Sequence, residues 1–180
     1  LMNNLLLIGI NKYHSQKNLT KCINDVNAFR EILLEKYEFD EQQIIELTNE
    51  KATFDEICKA LANYSSLESE DNLIIYFSGH GGLFEQEIEE GFWALLNAYV
   101  KVVGKINIEK KGVQEEKYEN LKSRYVITTG SLETYEGDGT STTSVFNEKM
   151  VQYFKESEKD FRVTELSEFL KKQFENNSKQ

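Results

Sequence analysis

The sequence predicts an α/β domain: a mostly parallel sheet flanked by helices on both faces. Leu5–Ile10 (LLLIGI) and Leu73–Phe77 (LIIYF) are short, unbroken apolar runs, the pattern of strands buried on both faces. Between them, apolar residues recur at helical spacing in two stretches, Cys22–Tyr37 and Thr53–Tyr64. Strand and helix therefore alternate as β-α-β-α-β, the order of a parallel sheet with helical crossovers.

Each element has its own signal. Leu5–Ile10 ends in Gly9 and the polar Asn11–Lys12, where a single glycine is not the three-glycine dinucleotide fingerprint. Cys22–Tyr37 places Val26, Phe29, Ile32, Leu33 and Tyr37 at helical spacing. Ile44–Leu47 reads as a short strand. Thr53 is an N-cap with Glu56 three residues on, a capping box whose helix carries Phe54, Ile57, Leu61 and Tyr64 on one face. After Leu73–Phe77 the alternation stops. Leu83–Ala98 reads as a hairpin with an acidic tip (Glu85, Glu87, Glu89, Glu90). Tyr99–Ile108 alternates loosely, and Glu109–Ser123 is a charged loop. Arg124–Thr129 (RYVITT) is a further strand, and Leu132–Thr143 a Gly/Thr/Ser-rich loop. A helix from Ser144 carries Phe146, Met150, Val151 and Phe154. Another, from near Thr164, carries Leu166, Phe169, Leu170 and Phe174.

The bulk numbers restrict function. A chain of 180 residues is one domain with room for a real core. Its 39% hydrophobic and 29% charged residues are those of a soluble protein. A net charge of -10 argues against a nucleic-acid or anionic-membrane partner. No apolar run reaches transmembrane length and no signal peptide is visible. Two cysteines, Cys22 and Cys58, suit a reducing cytoplasm, and they share no metal-ligand spacing with His14 and His80. The sequence starts at Leu1 and stops in a polar tail, so a longer parent protein is expected.

The Leu73–Phe77 run leads into Ser78-Gly79-His80-Gly81-Gly82. Ligands of open α/β sheets lie beyond the carboxyl ends of the strands, which is where His80 falls. An imidazole titrates near neutrality and serves as general base or acid. Otherwise it is a histidine in a polar turn.

Four stretches, in this order, resemble the caspase-like cysteine peptidases, and the metacaspases most closely. They are LLIGINKY (Leu6–Tyr13), LTKCINDV (Leu19–Val26), IIYFSGHGG (Ile74–Gly82) and SRYVITTGSLE (Ser123–Glu133). The resemblance implies a caspase-like fold with a large-subunit-like part at 1–98, a linker-like loop at 99–123 and a small-subunit-like part at 124–180. It gives His80 the acid/base role beside a cysteine nucleophile, and the Gly81 N–H a share in stabilising the oxyanion. Cys22, Asp25 and Ser78 match positions lining the pocket for the residue before the cut, where a carboxylate selects Lys or Arg. Without the resemblance, Cys22 is a small buried residue, Asp25 stabilises a first helical turn and Ser78 satisfies strand-end backbone. The acidic tip reads as a solvated face before a calcium site, although some metacaspases need calcium; no other cofactor is implied. The partner is a protein or peptide substrate, with an activating partner or further domains in addition.

The chain departs from the family at one place. The nucleophile belongs between the hairpin and the RYVITT strand, yet no cysteine follows Cys58. Nothing between Gly82 and Arg124 has the helical apolar period that a crossover needs, so a sheet face is expected to lie uncovered. Both readings point to extra residues between Ala98 and Lys105, comprising a helix, a strand and a cysteine. The linker-like stretch holds no aspartate but does hold Lys105, Lys110, Lys111 and Lys117. Two functions follow: an endopeptidase cleaving after Lys or Arg whose sequence lacks a segment, or a catalytically dead homologue that binds and regulates a partner.

Overall fold

Strand β1 (Asn3–Gly9) is the centre around which the domain is built, and all but its first residue are buried. In the computed structural model, which describes residues 2–68, 70–84, 90–96, 99–101, 142–157 and 162–175, it pairs in parallel on both sides. One neighbour is β2 (Ile44–Thr48), the other β3 (Asn72–Ser78), giving the order β2-β1-β3. Helix α1 (Cys22–Lys36) connects β1 to β2, and α2 (Phe54–Asn63) connects β2 to β3.

Side chains of β1 alternate between two cores, as strand geometry requires. Leu5 and Leu7 join Val26, Phe29, Ile32 and Leu33 of α1 on one face. That core is completed by Met150 and Phe154 of α3 (Val145–Glu156) and by Leu166 and Leu170 of α4 (Val163–Glu175). Leu6 and Ile8 face the other way, onto Ile57 and Ala60 of α2. Helices thus cover both faces, as the sequence predicts.

Past Ser78 the chain enters a separate antiparallel sheet of β4 (Gly81–Phe84), β5 (Glu90–Ala94) and β6 (Tyr99–Lys101), in that order. The predicted hairpin is therefore present. Phe77 of β3 stacks on Trp93 of β5, with ring centroids 4.7 Å apart, and joins the two sheets. The predicted cap at Thr53 is present, its Oγ1 accepting from the Glu56 N–H, and Ser144, predicted as a helix start, caps α3 by accepting at Oγ from the Asn147 N–H.

Three expectations are corrected. The Leu73–Phe77 strand is not buried on both faces: Leu73 is 36% and Ile75 39% exposed, while Tyr76 is buried. It is the outer strand of the described sheet, and α2 packs over β2 at the opposite edge. On α2 the buried stripe is Ile57 and Ala60, with Tyr64 partly buried, whereas Phe54 and Leu61 stand exposed. The small Ala60 lets the helix settle on its own side, rotating Leu61 outward. Tyr99–Lys101, which open the predicted linker-like loop, instead form strand β6 against β5. The acidic tip at 85–89, the linker beyond Lys101, the RYVITT strand and the lysines from Lys105 to Lys117 lie outside the described residues.

Candidate active site

The site begins with a close approach. A Cβ on Gly9 would meet Val26 Cγ2 at 2.8 Å and the Cys22 carbonyl oxygen at 3.1 Å, so only glycine lets the start of α1 rest against the end of β1. The Cys22 N–H is received by Asn11 Oδ1 at 2.9 Å, which fixes the entry of the helix. Since β1 and β3 are in register from Gly9 to Ser78, the first turn of α1 also reaches the end of β3.

There the three predicted pocket residues come together. Asp25 is 2% exposed, and its Oδ2 accepts from Ser78 Oγ at 2.9 Å. Its Oδ1 accepts from the Ser144 N–H at 2.6 Å, a donor at the N-cap of α3. Asn147, fully buried, donates through Nδ2 to the Asp25 carbonyl and to Tyr76 Oη, each at 2.9 Å. The carboxylate is thus fixed by α1, β3 and α3 together. Burial raises its pKa above the ordinary carboxylate value, against the pull of hydrogen bonds from Ser144 and Ser78 and the charge of Lys21. Burial likewise pushes the Cys22 thiol up to about 11, with the Asp25 charge adding to it and a hydrogen bond with Ser78 opposing it. At neutral pH Cys22 is therefore a neutral thiol beside Ser78 and Asp25.

His80 sits two residues beyond β3 in a housing of its own. Its N–H donates to Tyr13 Oη at 2.8 Å, and the Tyr13 ring tilts over the imidazole with centroids 4.8 Å apart. Its Nε2 lies 2.7 Å from the Lys17 carbonyl oxygen. A carbonyl only accepts, so the proton belongs on Nε2 and the unprotonated nitrogen is Nδ1. That tautomer leaves a base available. Gly79 belongs to the same housing, because a Cβ there would meet Tyr13 Oη at 2.5 Å.

Gly81 opens β4 opposite Trp93. The neighbouring pair is bonded, with the Ala94 N–H donating to the His80 carbonyl at 2.8 Å. Antiparallel pairs alternate, so the Gly81 N–H is turned away from β5. A donor at this place suits a developing oxyanion.

Sequence reasoning missed Tyr13, Lys17, Ser144, Asn147 and Tyr76. Tyr13 lies within LLIGINKY, and Ser144 was legible as a cap, but neither pattern says which side chain it reaches. Among the described residues no group of three or more His, Cys, Asp and Glu could hold a metal ion. The acidic hairpin tip lies outside them.

The caspase domain profile matches residues 3–123. This chain belongs to the caspase domain family. Metacaspase-4 of Arabidopsis thaliana is 37% identical over 91 residues, covering 47% of this chain and 22% of the relative. Metacaspase-1 of Eremothecium gossypii is 33% identical over 84 residues, covering 43% and 19%. The chain thus spans about a fifth of the length of the curated relatives it matches. A crystal structure of a protein from Geobacter sulfurreducens is similar over 56% of this chain and 42% of that one, with TM-score 0.48 and 19% identity. Membership places the caspase domain described here among cysteine peptidase-like proteins. Of its two cysteines, Cys22 is buried at the start of α1 and Cys58 is exposed on α2.

Proposed function

We propose that this caspase domain is a cysteine endopeptidase that cleaves peptides or proteins after Lys or Arg. His80 acts as general acid/base, the Gly81 N–H helps hold the oxyanion, and Cys22, Asp25 and Ser78 line the pocket for the basic side chain. The nucleophilic cysteine lies on a segment missing from this sequence between Ala98 and Lys105. Thiolate–imidazole chemistry needs no cofactor.

One observation carries the specificity: Asp25 is a carboxylate held almost out of water at the end of the β3 strand that leads to His80. A buried charge of this kind favours an opposite charge as its ligand. The missing segment has separate support in the exposure of Leu73 and Ile75, which share one face of the outer strand. A crossover helix would cover them.

The test uses the native polypeptide and peptides ending in Arg, Lys or Asp before a reporter group. Arg and Lys peptides are cut and the Asp peptide is not. His80→Ala lowers cleavage by about 10³-fold or more, because base and nucleophile act as a unit. Asp25→Ala removes the basic preference. Preference for Asp, or an Arg preference untouched by Asp25→Ala, refutes the assignment.

A second reading is favoured by the cysteines: neither Cys22 nor Cys58 is placed as a nucleophile, so the chain binds and regulates without cleaving. Peptide mapping of the native polypeptide across Ala98–Lys105 separates the two: additional residues there reveal the extra segment, and an uninterrupted match to this sequence favours the binding module.

A further inference from the structure

Among the described residues, Lys21 carries the one cationic nitrogen that is withdrawn from water without a hydrogen-bond partner, and the proposed chemistry does not use it. It immediately precedes α1, and its carbonyl accepts the Asp25 N–H at 2.9 Å. The two side chains therefore leave the same end of the helix four residues apart, the spacing at which side chains meet. The Lys21 ammonium is withdrawn from water and has no hydrogen-bond partner among the described residues. By contrast, Lys12 pairs with Glu50 and Arg30 with Glu41, both at the surface. Asp25 is the only buried carboxylate among the described residues.

We propose that Lys21 is a resident counter-ion of the Asp25 pocket, which an incoming basic side chain must displace, so that Lys21 limits the affinity of the site. The proposal rests on the reading of Asp25 as the recognition carboxylate. Three donors without an acceptor are tolerated out of water only in the field of an anion, and here that anion is Asp25. The Lys21 charge is in fact among the influences that hold the Asp25 carboxyl down against burial.

The hydrogen bonding leaves room for this exchange. Asp25 takes three donors, the Ser144 N–H and hydroxyl and Ser78 Oγ, of the roughly four lone-pair directions a carboxylate offers. Lys21 supplies charge without claiming the remaining direction. A guanidinium can therefore bond the carboxylate but meets a like charge beside it. The ammonium sits on a flexible four-carbon stem, so it can swing to solvent and yield.

The experiment titrates the full chain with agmatine, a small guanidinium, by calorimetry at about pH 8, well above the ordinary carboxylate range. Lys21→Met keeps the stem and removes the charge, and is expected to bind agmatine about tenfold tighter, the scale of one partly screened unit charge. Lys21→Gln is the second neutral variant should Lys21→Met fail to fold. Lys21→Arg retains wild-type affinity within about twofold. Neutral variants that bind agmatine no tighter than wild type overturn the counter-ion role and leave the pocket reading standing. Affinity indifferent to Asp25→Asn in the Lys21→Met background, or no binding by any variant, overturns the pocket reading and the counter-ion with it.

Discussion

Replacing Asn147 by alanine tests whether one buried amide holds the pocket together. Its Nδ2 bonds the Asp25 carbonyl and Tyr76 Oη at 2.9 Å each, within a site closed to solvent. Truncation strands Tyr76 Oη, at about 2 kcal/mol, and takes from the Asp25 carbonyl only a second donor, at about 1 kcal/mol, because that carbonyl lies within α1 and keeps its helical bond. Asn147 Oδ1 has no hydrogen-bond partner among the described residues, and removing it returns about 1 kcal/mol. The expected net loss is about 2 kcal/mol. For a domain of this size that lowers the midpoint of thermal unfolding by about 6 °C. Urea unfolding measures the same loss as a lower midpoint at unchanged slope. Asn147→Leu restores volume without donors and should fare little better, which separates the hydrogen bonds from the cavity. A loss below about 1 kcal/mol for Asn147→Ala would refute the bookkeeping, showing that neither partner depends on the amide.

Two further outcomes concern ionisation. Because burial pushes the Cys22 thiol up to about 11, iodoacetamide at neutral pH should modify the exposed Cys58 first. Peptide mapping that finds Cys22 modified first would contradict its assignment as a neutral thiol. The Asp25 carboxyl is raised by burial, so the folded chain holds that proton more tightly than the unfolded chain does. The stability this adds is present below the unfolded value, about 4, and is lost as pH rises through the folded value. Urea denaturation from about pH 4 upward should show this falling contribution, and Asp25→Asn should remove it. An identical pH profile in the variant would place the titration elsewhere.

The fold was legible where physics is local. An unbroken apolar run located β1 and helical spacing located α1, while the cap at Thr53 and the change of pattern at Ser144 located two helix starts. Burial of β3 was misread because an unbroken apolar run states that a strand prefers cover. Whether cover is supplied depends on other parts of the chain, and Leu73 and Ile75 remain exposed. The site divided in the same way. Asp25 and Ser78 could be named from motifs, and the structure brings them to 2.9 Å. The partners of Asp25 from α3 could not, since Ser144 and Asn147 lie more than a hundred residues away in sequence. Tyr13 and the Lys17 carbonyl were equally hidden. A backbone oxygen has no identity in a sequence, yet it selects which nitrogen of His80 carries the proton.

The anchoring of Asp25 by the Ser144 N–H makes the Asp25 cradle a conjunction of two fragments. Residues before Lys101 contribute the carboxylate and Ser78, while the cap of α3 contributes the donor that orients it. The fragments are also joined by an apolar seam in which Met150, Phe154, Leu166 and Leu170 close over Phe29 and Leu33. A backbone break between Lys101 and Thr142 would sever the covalent link and leave that seam to hold the halves together. Occupancy of the pocket would then report reassembly of the two pieces, and neither piece alone would carry the complete cradle for Asp25.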